Sequence, residues 1–276
     1  QLNRETTQIY IRAAEMAIEG NKYLSNDEKV DGYKAIERSL FVNVLGGGLR
    51  NDYSSLISPA RDLLRSKSES EAIKSYEKFI NTLSSGELSV TDDKIRNSFK
   101  HLGDELDPNN RPDFYYSWKD LRYLLYEYND SLKIKGTAID WSGLSAESIE
   151  HILPQTPSRD YWKIILLPIS SDEKAITRIT NSLGNLLLLS KAGNSGVRNY
   201  SFRTKAFGVD HDDSFAYVFG SRSAQEVARD FKYWSLHSIY SRQRELVDFM
   251  YSRWIVGDGI SMSQDEFAAL LKSSNL

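Results

Sequence analysis

The sequence predicts a mainly α-helical protein with a small ββα unit embedded in its second half. Ser25-Asn26-Asp27-Glu28, Ser68-Glu69-Ser70-Glu71 and the Ser263/Glu266 pair each set a serine three residues ahead of a glutamate. In that spacing the two side chains satisfy exposed N–H groups at a helix start. The insert is announced by Leu186 to Leu189, a short apolar run between Gly184 and Gly193. It is too short for a buried helix and suits a strand.

The elements follow in order. Residues 4–20 carry an amphipathic stripe of Ile9, Ile11, Ala14, Met16 and Ala17 that stops at Gly20. Helices are expected after Ser25 and Ser68, the first ending at Gly46-Gly47-Gly48, which lacks the Gly-Lys-Ser/Thr ending of a phosphate-binding loop. Thr91 to His101 predicts another helix, with His101 near its C-terminal end and Gly103 just beyond. Asp113 to Leu132 spaces Phe114, Tyr115, Trp118, Leu121, Tyr123, Leu124, Leu125 and Tyr128 for burial on a long helix. After Trp141 the pattern changes. Ile149 to Leu153 is expected to pair as a strand with Leu186 to Leu189, and a helix to begin near Asn194. Ser223-Ala224-Gln225-Glu226 predicts one long helix carrying Phe231, Trp234, Ile239, Leu246, Phe249 and Trp254, and Ser263 a short final one to about Lys272. The expected organisation is a helical scaffold over 1–140, a ββα finger over 141–210, and C-terminal helices over 211–276 that pack on the finger.

Composition narrows the function classes. The 276 residues are 40% hydrophobic, enough for one or two buried cores, with no run that approaches a membrane span and no apolar leader. A cytoplasmic protein without membrane contact is expected, and a first residue of Gln1 rather than Met suggests a piece of a longer chain or a processed end. Without cysteine, a metal has to be held by carboxylate, amide or imidazole groups. The net charge of −3 hides an asymmetry, because residues 155–205 hold eight basic residues against three acidic ones. That local surplus suits phosphate.

The surplus surrounds the residues that carry chemistry. Glu150-His151-Ile152-Leu153-Pro154-Gln155 is followed by Leu183-Gly184-Asn185-Leu186 and, nine residues after Asn185, by Asn194. Phosphodiester hydrolysis needs a base to make water nucleophilic and a cation to neutralise charge on the phosphate and the departing oxygen. His151 suits the first task as a neutral imidazole. Glu150 and Asn194 offer hard oxygen ligands for the second, which favours Mg²⁺ or Mn²⁺ over zinc. Asn185 has the donors and acceptor to bond both ways to the loop that carries His151. Neighbouring strand residues face opposite sides, so Glu150 and His151 share one site only if the strand ends or bends there, as Pro154 allows. Lys191, Asn199 and Lys205 are candidate DNA-phosphate contacts. His101 and His237 are expected to be structural, His211 to sit in a solvated acidic loop, and Arg242 and Arg244 to form surface salt bridges.

These stretches, with Tyr200-Ser201-Phe202 and Lys205, resemble the HNH (His-Me finger) nuclease domain at the C-terminal end of GmrSD-type modification-dependent restriction endonucleases and of the related phosphorothioate-sensing SspE defence proteins. The acidic-His-Ile-x-Pro-Gln stretch and the nine-residue Asn interval are also similar to the HNH domain of RNA-guided CRISPR nucleases. The resemblance implies metal ligation by Glu150 and Asn194, His151 as general base, and Asn185 as the loop-fixing residue. It covers residues 149–205 specifically and the flanking helices loosely. In many HNH sites the last ligand is a histidine, where this chain has Asn194. The resemblance also implies a DNA endonuclease in bacterial defence against phage, and a single finger with one metal and one base is expected to nick, cutting one strand per visit. Its partner would be an N-terminal nucleotide-dependent sensor domain outside this chain, which has no Walker-type loop. The alternatives are an inactive DNA- or partner-binding module on a degenerate finger, and a secreted toxin nuclease with an immunity partner.

Overall fold

Side-chain caps set the first helices. In the computed structural model, which describes residues 5–45, 52–103, 115, 121–133, 147–209 and 213–271, α1 spans Glu5–Gly20 and α2 Asn26–Leu40. Ser25 and Glu28 close a reciprocal capping box at the start of α2. Ser68 caps α4 (Glu69–Ser84) through the Glu71 N–H, but the Glu71 carboxylate accepts from Lys67 N–H, one residue earlier than a reciprocal box requires. Between them lies α3 (Ile57–Leu64), and α5 (Asp92–Gly103) follows, running through Gly103 rather than stopping before it. The Gly46-Gly47-Gly48 break, the His211 loop, and residues 113–120 of the aromatic helix apart from Tyr115 lie outside the described residues.

The chain divides into two compact units, Gln1–His101 with Ser252–Met262, and Leu102–Tyr251 with Ser263–Leu276. The first has its own apolar core, in which Ile11, Ile18, Ile36, Tyr53, Leu63 and Phe79 are buried together. The segment Ser252–Met262 joins it by specific bonds. Arg38 donates to the carbonyls of Trp254 (3.0 Å) and Ile255 (2.9 Å), and Trp254 stacks on Phe41 with ring centroids 3.8 Å apart.

The second unit holds the motif residues. It begins with α6 (Leu121–Ser131), whose Tyr128 hydroxyl donates to Glu226 at 2.7 Å. β1 (Glu147–His151) pairs antiparallel with β2 (Leu186–Ser190), placing Glu150 opposite Leu187 and His151 opposite Leu186. The interval between the strands is no simple hairpin, since it contains α7 (Asp160–Leu166) and α8 (Glu173–Thr180). After β2 the chain enters α9 (Lys191–Val197), capped by Ser190, so Asn194 lies a turn inside the helix and not at its first residue. α10 (Phe202–Phe207) is capped by Ser201 and ends at Gly208, whose φ of 71° is the left-handed conformation that glycine adopts cheaply.

The long helix expected after Ser223 is two helices. α11 (Arg222–Asp230) is capped by Ser221, which leaves Ser223 inside it, and α12 (Leu236–Met250) by Ser235. Between them Phe231 turns extended, and the fully buried Trp234 points into the core shared with Ile152, Leu153, Trp162, Leu187 and Phe202. The capping box at Ser263 starts α13 (Gln264–Leu270). Among the described residues no helix is long and apolar enough to cross a membrane.

Candidate active site

The site is built around Asn185, which is fully buried at the end of the 3₁₀ turn Leu183–Asn185. Its amide nitrogen donates to the carbonyls of Leu153 (2.8 Å) and Thr180 (2.6 Å). Its amide oxygen accepts from the Leu153 N–H (2.8 Å) and from the Trp234 indole N–H (3.1 Å). The Asn185 backbone carbonyl adds a bond from the Ile152 N–H at 3.0 Å. Every side-chain hydrogen-bonding position of the asparagine is used, and the Ile152-Leu153 bend directly after His151 is clasped from both sides.

The turn is itself clamped from α12. Arg242, fully buried and not on the surface as the sequence suggested, donates to the carbonyls of Gly184 (2.9 Å) and Leu186 (2.6 Å). Gly184 packs so close that a Cβ there would come within 2.0 Å of the Ile239 carbonyl oxygen. Only glycine permits this approach of turn to helix.

His151, the last residue of β1, is 8% exposed. Its Nε2 lies 3.1 Å from Asn181 Oδ1, and the Tyr115 ring meets the imidazole edge-on at 4.5 Å between centroids. Burial pushes the imidazole pKa down to about 4, the Asn181 bond opposes that shift, and the nearby Lys205 charge reinforces it. The ring is therefore neutral at physiological pH, the form in which it accepts a proton.

Glu150 faces the other side of β1. Its Oε1 accepts from Lys205 Nζ at 2.6 Å and from the Tyr217 hydroxyl at 2.8 Å, and Lys205 also donates to the His151 carbonyl at 2.9 Å. Both charged side chains are almost entirely enclosed, with 0% of Lys205 and 5% of Glu150 exposed. Burial pushes the Glu150 carboxyl up and the Lys205 ammonium down, and their mutual attraction offsets part of each shift. Tyr217, bonded to the same carboxylate, is held well above the ordinary phenol range, first by burial. This corrects the assignment of Lys205 to DNA phosphate. A buried ammonium committed to Glu150 and a backbone carbonyl has no face for a phosphodiester.

Asn194 reaches β1 from α9. Its Nδ2 donates to Ser148 Oγ (2.9 Å) and to the Ile149 carbonyl (3.0 Å). Ser148 and Glu150 are two apart on a strand and so share a face, which puts Asn194 on the Glu150 side. Among the described residues no group of three or more His, Asp or Glu side chains is placed to hold a metal ion. The Asn194 bonds use its Nδ2, and the Glu150 carboxylate is bonded by Lys205, Tyr217 and the His151 N–H. Carboxylate and amide oxygens are the donor type that a hard divalent cation takes, and the Glu150 carboxylate already has a buried counter-ion in Lys205. Of the remaining phosphate candidates, Lys191 is exposed at the start of α9, while Asn199 donates to the Thr156 carbonyl at 3.1 Å.

Four residues that the motif did not single out shape the site. Asn181 meets His151, Tyr217 meets Glu150, and Trp234 meets Asn185. Trp162 donates to the carbonyls of Tyr200 (3.1 Å) and Asn199 (3.3 Å), and its ring lies 5.9 Å from Lys205 Nζ. The signal for Asn181 was its place four residues before Asn185; Tyr217 and Trp234 carried no local signal.

A ββα unit with a neutral histidine at a strand end and an asparagine clasp behind it defines a candidate hydrolytic site, with Glu150 and Asn194 on the opposite face of β1. The family of the C-terminal domain of GmrSD restriction endonucleases matches residues 104–249, over half of the chain, and the chain belongs to that family. Its members are restriction endonucleases, so a nuclease with DNA as substrate is the activity that membership indicates. No curated protein and no solved structure matches the chain.

Proposed function

We propose that the chain is a metal-dependent, HNH-type DNA endonuclease that nicks duplex DNA as the cutting domain of a bacterial anti-phage restriction system. It would act in the cytoplasm beside an N-terminal nucleotide-dependent sensor domain. The observation that carries the reading is His151, kept neutral by burial and held at the end of β1 by the Asn185 clasp. His151 takes a proton from water as the water oxygen attacks phosphorus. The bond to the departing sugar oxygen breaks, and that oxygen takes a proton from solvent, so one phosphodiester and one water become a phosphate monoester and an alcohol. The Glu150 carboxylate and the Asn194 side-chain amide would hold Mg²⁺ or Mn²⁺, which would supply charge neutralisation at the phosphate. Exposed Lys191, with the exposed Arg198 and Arg203, would draw in the DNA backbone.

A second reading is favoured by the commitment of Glu150 Oε1 to Lys205 and Tyr217. A carboxylate so engaged suits a finger that binds DNA or a protein without cutting. Incubation of supercoiled plasmid with the chain in Mg²⁺, Mn²⁺ or EDTA separates the two. Nicked circles in either metal and none in EDTA are expected. Cutting in EDTA at the same rate rejects the metal, and binding without cutting in every condition selects the second reading.

A further inference from the structure

Asn181 is the residue that follows α8, and its side chain turns inward, 3% exposed. Its Nδ2 donates to the Thr177 carbonyl at 3.1 Å, while its Oδ1 faces His151 Nε2 at 3.1 Å and Gln155 Nε2 at 3.3 Å. The orientation of the amide is decided by this set. The Thr177 carbonyl can only accept, so the nitrogen must face it and the oxygen must face the imidazole. An acceptor at 3.1 Å requires that the proton of a neutral imidazole sit on Nε2, which leaves the lone pair on Nδ1.

We propose that Asn181 is a positioning residue for the nuclease reaction, fixing His151 in the Nε2–H tautomer and aiming Nδ1 as the proton-accepting atom, with Gln155 bracing the Asn181 oxygen from the motif loop. The inference rests on the nuclease reading for its catalytic consequence, though not for the tautomer. The Gln155 of the Glu-His-Ile-Leu-Pro-Gln stretch thereby acquires a task. It closes a ring of contacts in which the loop after His151 supports the residue that orients His151. The ring also links α8 to β1 across the α7–α8 insertion. The same end of that insertion is also tied down by Asn185, whose Nδ2 bonds Thr180 beside Asn181.

The test uses the full chain labelled with ¹⁵N and long-range ¹H–¹⁵N correlation of the histidine rings, with the His151 signals assigned by their loss in His151→Ala. The wild-type chain should show a protonated Nε2 and an unprotonated Nδ1 at neutral pH. Asn181→Leu, similar in size but with no acceptor, should shift the Nε2 signal away from its hydrogen-bonded position and lower kcat about 10- to 100-fold, the range for the loss of a group that orients a reacting histidine, with KM little changed. Asn181→Asp keeps an oxygen acceptor toward the ring and should keep the Nε2–H tautomer, which separates loss of the acceptor from loss of the fold. A wild-type spectrum with the proton on Nδ1 overturns the proposal, as does an Asn181→Leu chain with unchanged His151 signals and unchanged kcat. A wild-type chain with the Nε2–H signature that cuts no plasmid in Mg²⁺ or Mn²⁺ overturns the nuclease reading, while upholding the tautomer assignment.

Discussion

The indole N–H of Trp234 donates to the amide oxygen of Asn185 at 3.1 Å, joining two residues 49 apart in sequence. That bond links the break between α11 and α12 to the clasp on the Ile152-Leu153 bend. Asn185→Ala would strand Leu153 N–H, the carbonyls of Leu153 and Thr180, and the Trp234 indole, each at a cost of about 1–3 kcal/mol when left buried and unpaired. Trp234→Phe keeps most of the ring and loses one bond, at about 1 kcal/mol plus the smaller packing volume. Thermal denaturation should therefore rank Asn185→Ala well below Trp234→Phe, and Trp234→Phe below the wild type. A melting temperature for Asn185→Ala equal to the wild type would refute the clasp.

Lys191 and Lys205 should behave as opposites. Lys191 is exposed, so Lys191→Glu should weaken DNA binding, measured by fluorescence anisotropy, without moving the melting temperature. Lys205→Ala leaves the Glu150 carboxylate buried without its counter-charge, which costs about 3–5 kcal/mol, and Lys205→Glu should not yield a folded chain. The double variant Lys205→Met with Glu150→Leu should recover much of that loss. If Lys205→Glu folds normally and loses only DNA affinity, the buried pair does not exist in solution.

Metal titration should separate the base from the ligands. His151→Ala should cut DNA about 10²-fold more slowly or worse, with no recovery at high Mn²⁺. Asn194→Ala should recover in part as Mn²⁺ rises, because it weakens a cation that mass action can restore, whereas Glu150→Ala should also lower the melting temperature by leaving the Lys205 ammonium buried without its counter-charge. Identical metal responses in all three variants would undo the assignment of roles.

His151 should leave a mark on acid stability. Its folded pKa, near 4, lies below the ordinary 6.5, so in the window between them the unfolded chain binds a proton that the folded chain does not. The contribution is fully present above pH 6.5 and is lost as pH falls through 6.5 toward 4, amounting to something on the order of 3 kcal/mol. Urea midpoints measured without metal at pH 7.5, 5.5 and 4.5 should fall less in His151→Gln than in the wild type. Parallel decline of the two chains would mean that the imidazole is not held neutral.

Binding by this chain alone should be weak, steeply salt-dependent and blind to DNA modification, because a patch on a chain of net charge −3 neutralises few phosphates at once. Anisotropy with modified and unmodified duplexes, using His151→Ala to prevent cutting, should give equal affinities. A clear preference for modified DNA would place the modification reader within these residues.

Local chemistry was legible in the sequence. A serine and a glutamate three residues apart can satisfy each other without any distant contact, so Ser25 and Ser263 marked their helices correctly, and the four leucines from Leu186 to Leu189 read as a buried strand. The same rule misread Ser223, because the cap that forms is Ser221, and nothing local announced that Phe231 would leave the helix. The break sits beside a core that takes Trp234 inward to meet Asn185, 49 residues from it in sequence. Glu150, His151, Asn185 and Asn194 could be picked out as a set by residue type and interval. Their directions could not, because a side chain's bonds depend on which elements pack over it. Only the tertiary structure decided that Lys205, 55 residues from Glu150, is a buried counter-ion and not a hand for phosphate. The same packing brought Asn181 to the imidazole and buried Arg242 under the Gly184 turn. Burial turns a charge or an amide from a solvated group into one that must be paired, and burial is a property of the assembled core.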